Sequence, residues 1–185
     1  MIQVNDNFLP AEYFTLLRQY CFQNEFKKVR VGEKEFSVLE TPLEFLPYFQ
    51  LPGHEIVLTF IRNAYKGFDD KWRIHADNFI DGHKTSFASV LYINNEEGVT
   101  PNGTAFWKHH AHGHRLPDDI SKAEFDRLLL EDSNELSKWQ QTGFIGSVPN
   151  RLLVYDSQMF HSKTPNEITE GTRIVLVTFY KKSTI

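Results

Sequence analysis

The most informative part of this sequence is WRIHADNF, residues 72–79, in which His75 and Asp77 are two residues apart. Because side chains alternate between the two faces of a strand, this spacing would put both on one face, together with Arg73 and Phe79. An imidazole and a carboxylate are ligands that transition metals accept. The stretch therefore predicts a strand that carries part of a metal site.

A third candidate ligand is His161, in the later stretch DSQMFHSKTP, residues 156–165. Neighbouring antiparallel strands can bring it within coordination distance of the first pair. Two imidazoles and one carboxylate leave adjacent coordination positions open, as a non-haem Fe(II) oxygenase requires, whereas a structural zinc site is closed. Further along the chain, Arg173 stands in an apolar stretch, where a guanidinium would be costly unless it met a carboxylate.

Much of the remaining sequence has the composition of strands. Short runs rich in β-branched and aromatic residues alternate with clusters of Gly, Pro, Asn and Asp. The runs are KWRIHADNF (71–79), KTSFASVLYIN (84–94), GTAFWKHHAH (103–112), NRLLVYDSQMFH (150–161) and GTRIVLVTFYKK (171–182). They predict an antiparallel barrel or double-sheet jelly roll with an opening that can hold a metal.

Helices are predicted in three places. Apolar residues at spacings of three and four predict an amphipathic helix over residues 8–22 and a second one over residues 54–67. A capping box at Ser121 and Glu124 predicts a helix within residues 117–142, which we interpret as an insertion on the rim. We therefore expect one α+β domain, residues 1–185, with N-terminal helices packed on one sheet and a helical rim insertion.

Composition limits the functions that this chain can have. Lys and Arg total 20 against 24 Asp and Glu, and the net charge of −4 disfavours nucleic acid as a partner. The single cysteine, Cys21, excludes an internal disulfide and predicts core packing in an intracellular, cytoplasmic protein. No stretch approaches the roughly 20 apolar residues of a membrane span, so we expect no membrane association.

The histidine-rich stretch HHAHGH, residues 109–114, is the most conspicuous alternative metal site. A high density of histidines is by itself weak support for a metal site, because a working site also needs ligands from different elements and an open coordination position. We consider three interpretations: solvated surface histidines, contact with substrate, and a second metal site.

This sequence resembles the HxD…H…R pattern of the Fe(II)- and 2-oxoglutarate-dependent dioxygenases. The segments that carry the resemblance are, in order, HADN, SVLYINNEE, NGTAFW, FHSKTP and GTR. The prolyl-hydroxylase-like branch is the most similar, and DNFLP resembles its N-terminal opening. The GTAFWKHH continuation also resembles a less characterised bacterial oxygenase-like family. This resemblance implies a double-stranded β-helix, also called a jelly-roll or cupin-like core.

The resemblance also implies roles for particular residues. His75, Asp77 and His161 would bind Fe(II), and Arg173 and Tyr92 would bind the distal carboxylate of 2-oxoglutarate. O2 would be the second cosubstrate, and the expected reaction is hydroxylation of a small molecule or a protein or peptide substrate. The sequence departs from the family pattern at Asn102, which replaces the first glycine of a two-glycine turn, and lacks a Ser, Thr or Tyr two residues after Arg173.

Two other functions remain open from the sequence. A cupin-like binding module could retain the three ligands without oxygenase activity, and would leave a buried Arg173 unexplained. A metal-dependent hydrolase could use the histidine-rich stretch, but it would need a carboxylate general base that we do not identify near it. The oligomeric state cannot be read from the sequence.

Overall fold

The computed structural model describes residues 1–31, 34–68, 74–94, 102–165 and 167–183. Within them, the helices are α1, Ala11–Gln23, and α2, Lys122–Asp132, with 3-10 helices at Leu43–Phe49 and Leu136–Lys138. The strands are β1 Ile2–Asn5, β2 Lys27–Val31, β3 Lys34–Glu40, β4 His54–Tyr65, β5 Phe79–Ile80, β6 His83–Lys84, β7 Phe87–Tyr92, β8 Gly103–His109, β9 Trp139–Gly146, β10 Leu152–Asp156, β11 His161–Thr164 and β12 Thr172–Lys182. Neither α-helix of the described part is long and apolar enough to cross a membrane.

The strands of the described residues pair in antiparallel fashion. The largest sheet has seven strands in the order β1-β10-β7-β12-β4-β3-β2. A second sheet has three strands in the order β11-β8-β9, and β5 and β6 form a small two-stranded sheet. The predicted α+β class with mainly antiparallel sheets is therefore confirmed.

The centre of the seven-stranded sheet is buried on both faces. On β10, Leu152 and Val154 belong to the core beneath α1, while Leu153 and Tyr155 belong to the core that includes Phe106 of the three-stranded sheet. Strands that bury both faces appear in a sequence as continuous apolar runs. This explains why LLVY in β10 and IVLV in β12 do not alternate between apolar and polar residues.

The second predicted helix, over residues 54–67, is wrong, because His54–Tyr65 forms the long strand β4. β4 pairs with β12 from Tyr65 opposite Thr172 to His54 opposite Lys182, and with β3 on its other side. Its apolar residues satisfied helical spacing, but they also fit a strand with two partly buried faces. The N-terminal helical layer therefore consists of α1 and the 3-10 helix Leu43–Phe49, not of two α-helices.

Helix α1 packs on the large sheet as its spacing predicted. Phe14, Leu17 and Cys21 are buried in one core with Phe45 and Phe49 of the 3-10 helix. Burial raises the pKa of the Cys21 thiol to about 12, so the thiol is neutral at physiological pH and a poor nucleophile. The prediction that Cys21 is a core residue is confirmed.

The predicted rim insertion, residues 117–142, contains α2 and begins its helix with the predicted capping box. Ser121 Oγ accepts a hydrogen bond from the Glu124 backbone N–H, and Glu124 Oε2 accepts one from the Ser121 N–H. The end of the segment differs from the prediction, because β9 begins at Trp139 and pairs with β8. Residues 139–142 therefore belong to the three-stranded sheet.

Helix α2 packs directly behind the segments that carry two of the candidate ligands. Phe125 and Leu128 share one buried cluster with Ile74 and Phe160, the residues that precede His75 and His161 in the chain. Ser133, just after α2, accepts a hydrogen bond from the Ile74 N–H at 3.2 Å and donates its hydroxyl to the Ile74 carbonyl at 2.5 Å. The segment therefore supports the candidate site from outside.

Shortening Leu128 tests this support. We expect Leu128→Ala to lower the free energy of unfolding by about 2 to 5 kcal/mol, because it leaves a cavity in a buried cluster. Leu130→Ala is the matched control, since Leu130 lies on the same helix with 78% of its surface exposed, and it should change stability by no more than about 0.5 kcal/mol. Chemical denaturation of both variants is the measurement, and equal stabilities would contradict the packing.

Candidate metal centre

His75, Asp77 and His161 converge at one point between the two main sheets. Each offers one ligand atom, and these atoms all lie within 4.8 Å of one another. His75 Nε2 is 3.5 Å from Asp77 Oδ1, and His161 Nε2 is 3.2 Å from Asp77 Oδ2. The residues come from segments far apart in the sequence, which is typical of a metal site that assembles only on folding.

Hydrogen bonds to the backbone hold all three of these residues in place. His75 and His161 form an isolated antiparallel bridge with N···O distances of 2.9 and 2.8 Å. The Asp77 N–H donates to the Ser157 carbonyl at 2.8 Å, and the Asp77 carbonyl accepts a hydrogen bond from the Thr85 hydroxyl. The backbone of each ligand residue is therefore fixed by hydrogen bonds to segments that are distant in the sequence.

The local structure corrects part of the prediction for residues 72–79. His75 and Asp77 do point to one site, but they lie in a bridge and a loop, and strand β5 starts only at Phe79. Phe79 does not share their face, because its ring contacts Phe125 of α2 at a centroid distance of 5.5 Å. Arg73, predicted to lie on the same face, is outside the described residues.

The hydrogen bonding of His161 prepares its ring for metal binding. Nδ1 lies 3.0 Å from the Met159 carbonyl oxygen, which can only accept, so Nδ1 carries the hydrogen and donates it. In the neutral ring the lone pair is therefore on Nε2, the atom that faces Asp77. A backbone acceptor behind a ligating imidazole is a usual way to fix its tautomer and orientation.

The charge state of Asp77 also suits a metal ligand. Burial by itself raises the pKa of this carboxyl, but His161, His75 and the Tyr155 hydroxyl together lower it to about 2. The carboxylate is therefore ionised at neutral pH, as metal binding requires. Burial and the charge of Asp77 raise the pKa of Tyr155 well above its usual range, so its phenol stays neutral and can donate a hydrogen bond.

Arg173 lies in the interior, on the β12 face that also carries Val175, Val177 and Phe179. Only 6% of its surface is exposed. Its Nε donates to Asn102 Oδ1 at 3.0 Å, and its Cζ lies 5.7 Å from the centre of the Tyr92 ring. The guanidinium is therefore fixed in orientation at the wall of the site.

Tyr92 and the NGT segment surround Arg173, and of these residues Thr104 lines the same cavity as Arg173. The Tyr92 hydroxyl is 2.7 Å from Thr104 Oγ1. Asn102, which the sequence presented as a departure from a two-glycine turn, accepts a hydrogen bond from Arg173 Nε and helps to orient the guanidinium. Gly103 has no room for a side chain, because a Cβ there would collide with the Ile145 carbonyl of β9. The contact of Asn102 with Arg173 was not predicted from the sequence, although the position of Asn102 in the motif marked it.

One open cavity lies between the two sheets. Its wall includes the three converging side chains, Arg173, Tyr155 and an apolar group, which consists of Val90, Val175, Val177 and Phe179. Arg62 and Lys163 also line it. The cavity therefore combines a potential metal site, cationic side chains and an apolar surface.

The histidine-rich stretch does not bring three potential metal ligands together. His110, His112 and His114 are exposed, as the surface interpretation predicts. His109 is buried instead, with Nε2 3.1 Å from Asp132 Oδ2, while its Nδ1 accepts the backbone N–H groups of Ala111 and His112 at 3.2 Å. In the part of the chain that the structure describes, the one group of three or more potential metal ligands is His75, Asp77 and His161.

Comparison with curated proteins gives no match for this sequence. Among solved structures, HygX from Streptomyces hygroscopicus with nickel, 2-oxoglutarate and hygromycin B bound is similar, with a TM-score of 0.62 at 12% identity over 100% of this chain and 84% of HygX. A prolyl-4-hydroxylase from Pseudomonas putida has a TM-score of 0.58 at 14% identity, covering 99% and 93%. SnoK, a non-haem alpha-ketoglutarate-dependent carbocyclase from nogalamycin biosynthesis, has a TM-score of 0.64 at 10% identity, covering 98% and 79%. The chain therefore has the fold of these proteins.

A family model also matches the sequence. The match covers residues 69–170, more than half of the 185 residues, and the family is described as a family of unknown function, DUF6445. The matched range contains the three converging side chains and the histidine-rich stretch, and it ends shortly before Arg173. This chain is therefore a member of the DUF6445 family.

Proposed function

We propose that this protein is a non-haem Fe(II)- and 2-oxoglutarate-dependent oxygenase. It hydroxylates a C–H bond of a small molecule or a protein side chain, with release of succinate and CO2. The observation that carries this proposal is the convergence of two imidazoles and one carboxylate on a cavity that also contains the buried Arg173. The fold shared with HygX, the prolyl-4-hydroxylase and SnoK supports it.

His75, Asp77 and His161 would hold the Fe(II). The donor set fits this metal, because two neutral imidazole nitrogens and one ionised carboxylate form the facial triad of non-haem Fe(II) oxygenases. Together with 2-oxoglutarate and O2, the bound iron would supply the oxidising chemistry. The chain contributes a ligand set that leaves coordination positions open, and hydrogen bonds that keep its members oriented.

Arg173 and Tyr92 would bind the distal carboxylate of 2-oxoglutarate. A guanidinium presents a planar fork of N–H groups that matches a carboxylate, and the low dielectric of a buried wall strengthens the pair. The hydrogen bond to Asn102 presets the orientation of this fork. The Tyr92 hydroxyl, which is paired with Thr104, would add a further contact to the same carboxylate.

The apolar side of the cavity would receive the substrate. Val90, Val175, Val177 and Phe179 offer no polar group, so they suit a hydrocarbon portion and help to exclude water from the reacting centre. Such a wall accepts either a small molecule or an inserted side chain of a protein or peptide. The net charge of −4 makes nucleic acid a poor candidate.

We also propose that residues 1–185 work as one domain with a double-stranded β-helix core. The buried cluster that joins Val90, Leu153 and Val175 of the large sheet to Phe106 of the small sheet supports this arrangement. In it, the helical segment within residues 117–142 stays on the rim and supports the His75 segment.

The test is an anaerobic titration of the Fe(II)-loaded protein with 2-oxoglutarate. We expect the weak visible metal-to-ligand charge-transfer band that forms when 2-oxoglutarate chelates Fe(II), and succinate release on admission of O2 that depends on both Fe(II) and 2-oxoglutarate. Uncoupled turnover can be slow, so the binding measurement is the stronger test. Tight binding of Fe(II) without any binding of 2-oxoglutarate would favour the cupin-like binding module instead.

A further inference from the structure

Tyr155 is a buried residue beside the metal centre to which neither the sequence motifs nor the proposed function assigns a role. It lies on β10 with 1% of its surface exposed. Its ring packs against the His161 ring at a centroid distance of 4.6 Å and edge-on against Phe106 at 5.6 Å. The position of its hydroxyl is therefore fixed by packing.

The hydroxyl touches two of the three candidate ligands. Tyr155 Oη is 3.0 Å from Asp77 Oδ2 and 3.0 Å from His161 Nε2. A phenol has one hydrogen to donate, so the two acceptors compete for it. The His161 Nε2 lone pair is the one that a metal would take, and a metal there would leave Asp77 Oδ2 as the acceptor for the phenol.

We propose that the Tyr155 hydroxyl donates to Oδ2 of the metal-bound Asp77 and thereby restricts this carboxylate to ligation through Oδ1. This inference rests on the proposed metal site. Carboxylates bind metals through one or two oxygens, and a neighbour that already engages one oxygen disfavours the second mode. Tyr155 is thus a positioning residue that acts through Asp77.

Ligation of Asp77 through one oxygen matters because the proposed reaction needs several open coordination positions on the metal. A facial triad leaves three positions, two for chelating 2-oxoglutarate and one for O2. A carboxylate that bound through both oxygens would occupy one of them. The hydroxyl of Tyr155 therefore keeps the coordination sphere open for both cosubstrates.

The test compares Tyr155→Phe with Tyr180→Phe, using Co(II) as the spectroscopic probe. Both substitutions remove one buried hydroxyl and keep the ring, and the Tyr180 hydroxyl is 3.2 Å from Ser89 Oγ, outside the cavity wall. We expect Tyr155→Phe to change the visible d–d spectrum of the Co(II) protein and to weaken 2-oxoglutarate binding, because Asp77 is then free to bind the metal through both oxygens. Tyr180→Phe should match the wild type in both.

Other outcomes would overturn the inference in distinguishable ways. If the wild type binds Co(II) and 2-oxoglutarate, and Tyr155→Phe has the same spectrum and affinities, the hydroxyl does not position Asp77. If the Fe(III) protein shows a visible tyrosinate charge-transfer band that Tyr155→Phe lacks, Tyr155 is itself a ligand. If the wild type does not bind Co(II) at the triad, as judged against His161→Ala, the proposed metal site fails together with this inference.

Discussion

Replacing His161 by alanine is expected to abolish Fe(II) binding at the triad and, with it, the charge-transfer band and succinate formation. The substitution removes one of three ligands, so the loss of metal affinity should exceed the roughly 10- to 100-fold typical of a change behind the ligands. Metal affinity measured on purified protein, together with the anaerobic titration, gives the readout.

His114→Ala is the matched control for this experiment. His114 is an exposed member of the histidine-rich stretch, and its loss should leave Fe(II) and 2-oxoglutarate binding unchanged. The control also tests whether metal bound at His114 contributes to the measured metal content. A His161→Ala protein that still binds Fe(II) and develops the band would show that the metal lies elsewhere.

Replacing Arg173 by glutamine should produce the second large effect, on 2-oxoglutarate and not on the metal. Breaking a buried charge pair costs about 2 to 5 kcal/mol, which corresponds to roughly a 30- to 4,000-fold increase in Kd. Fe(II) binding should persist, because the hydrogen bonds that orient His161 and Asp77 do not involve Arg173. The measurement is the 2-oxoglutarate concentration needed to develop the band.

Arg127→Gln provides the comparison for Arg173→Gln. Arg127 lies on α2 and forms an ion pair with Glu131 at 3.6 Å. Its side chain is 67% exposed. Its replacement should leave the 2-oxoglutarate affinity at the wild-type value. If Arg173→Gln also binds 2-oxoglutarate normally, the distal carboxylate is held elsewhere, and Lys163, which lines the same cavity, becomes the next residue to replace.

The chemistry of the site was more predictable than its surroundings. His75, Asp77, His161 and Arg173 could be selected because such polar and charged residues are unusual in apolar strands, and Tyr92 because of the resemblance to the family pattern. The structure places all five on or beside one cavity, while their roles as ligands remain predictions. Tyr155 could not be selected, since a tyrosine in the apolar run LLVY looks like any core aromatic until its neighbours are known.

The helical prediction over residues 54–67 shows the opposite case. Ile56, Phe60 and Ile61 are compatible with both a helical stripe and a strand, so local pattern does not separate the two. Whether this segment forms a helix or a strand depended on whether neighbouring strands were available to pair with it. β12 pairs with β4 along its length and β3 pairs with it from Phe60 to Asn63, so backbone groups of β4 find partners in neighbouring strands.

Local sequence was sufficient for what depends on residue type and short spacing. This includes the class of antiparallel strands, helix α1, the capping box at Ser121 and the candidate ligand set. Tertiary structure was needed for everything that depends on partners distant in the chain: the strand β4, the bridge between His75 and His161, the burial of His109 against Asp132, and the contact of Tyr155 with Asp77. The physical reason is that periodicity specifies which face a side chain occupies, whereas the residue that it meets there is set by sheet pairing and packing.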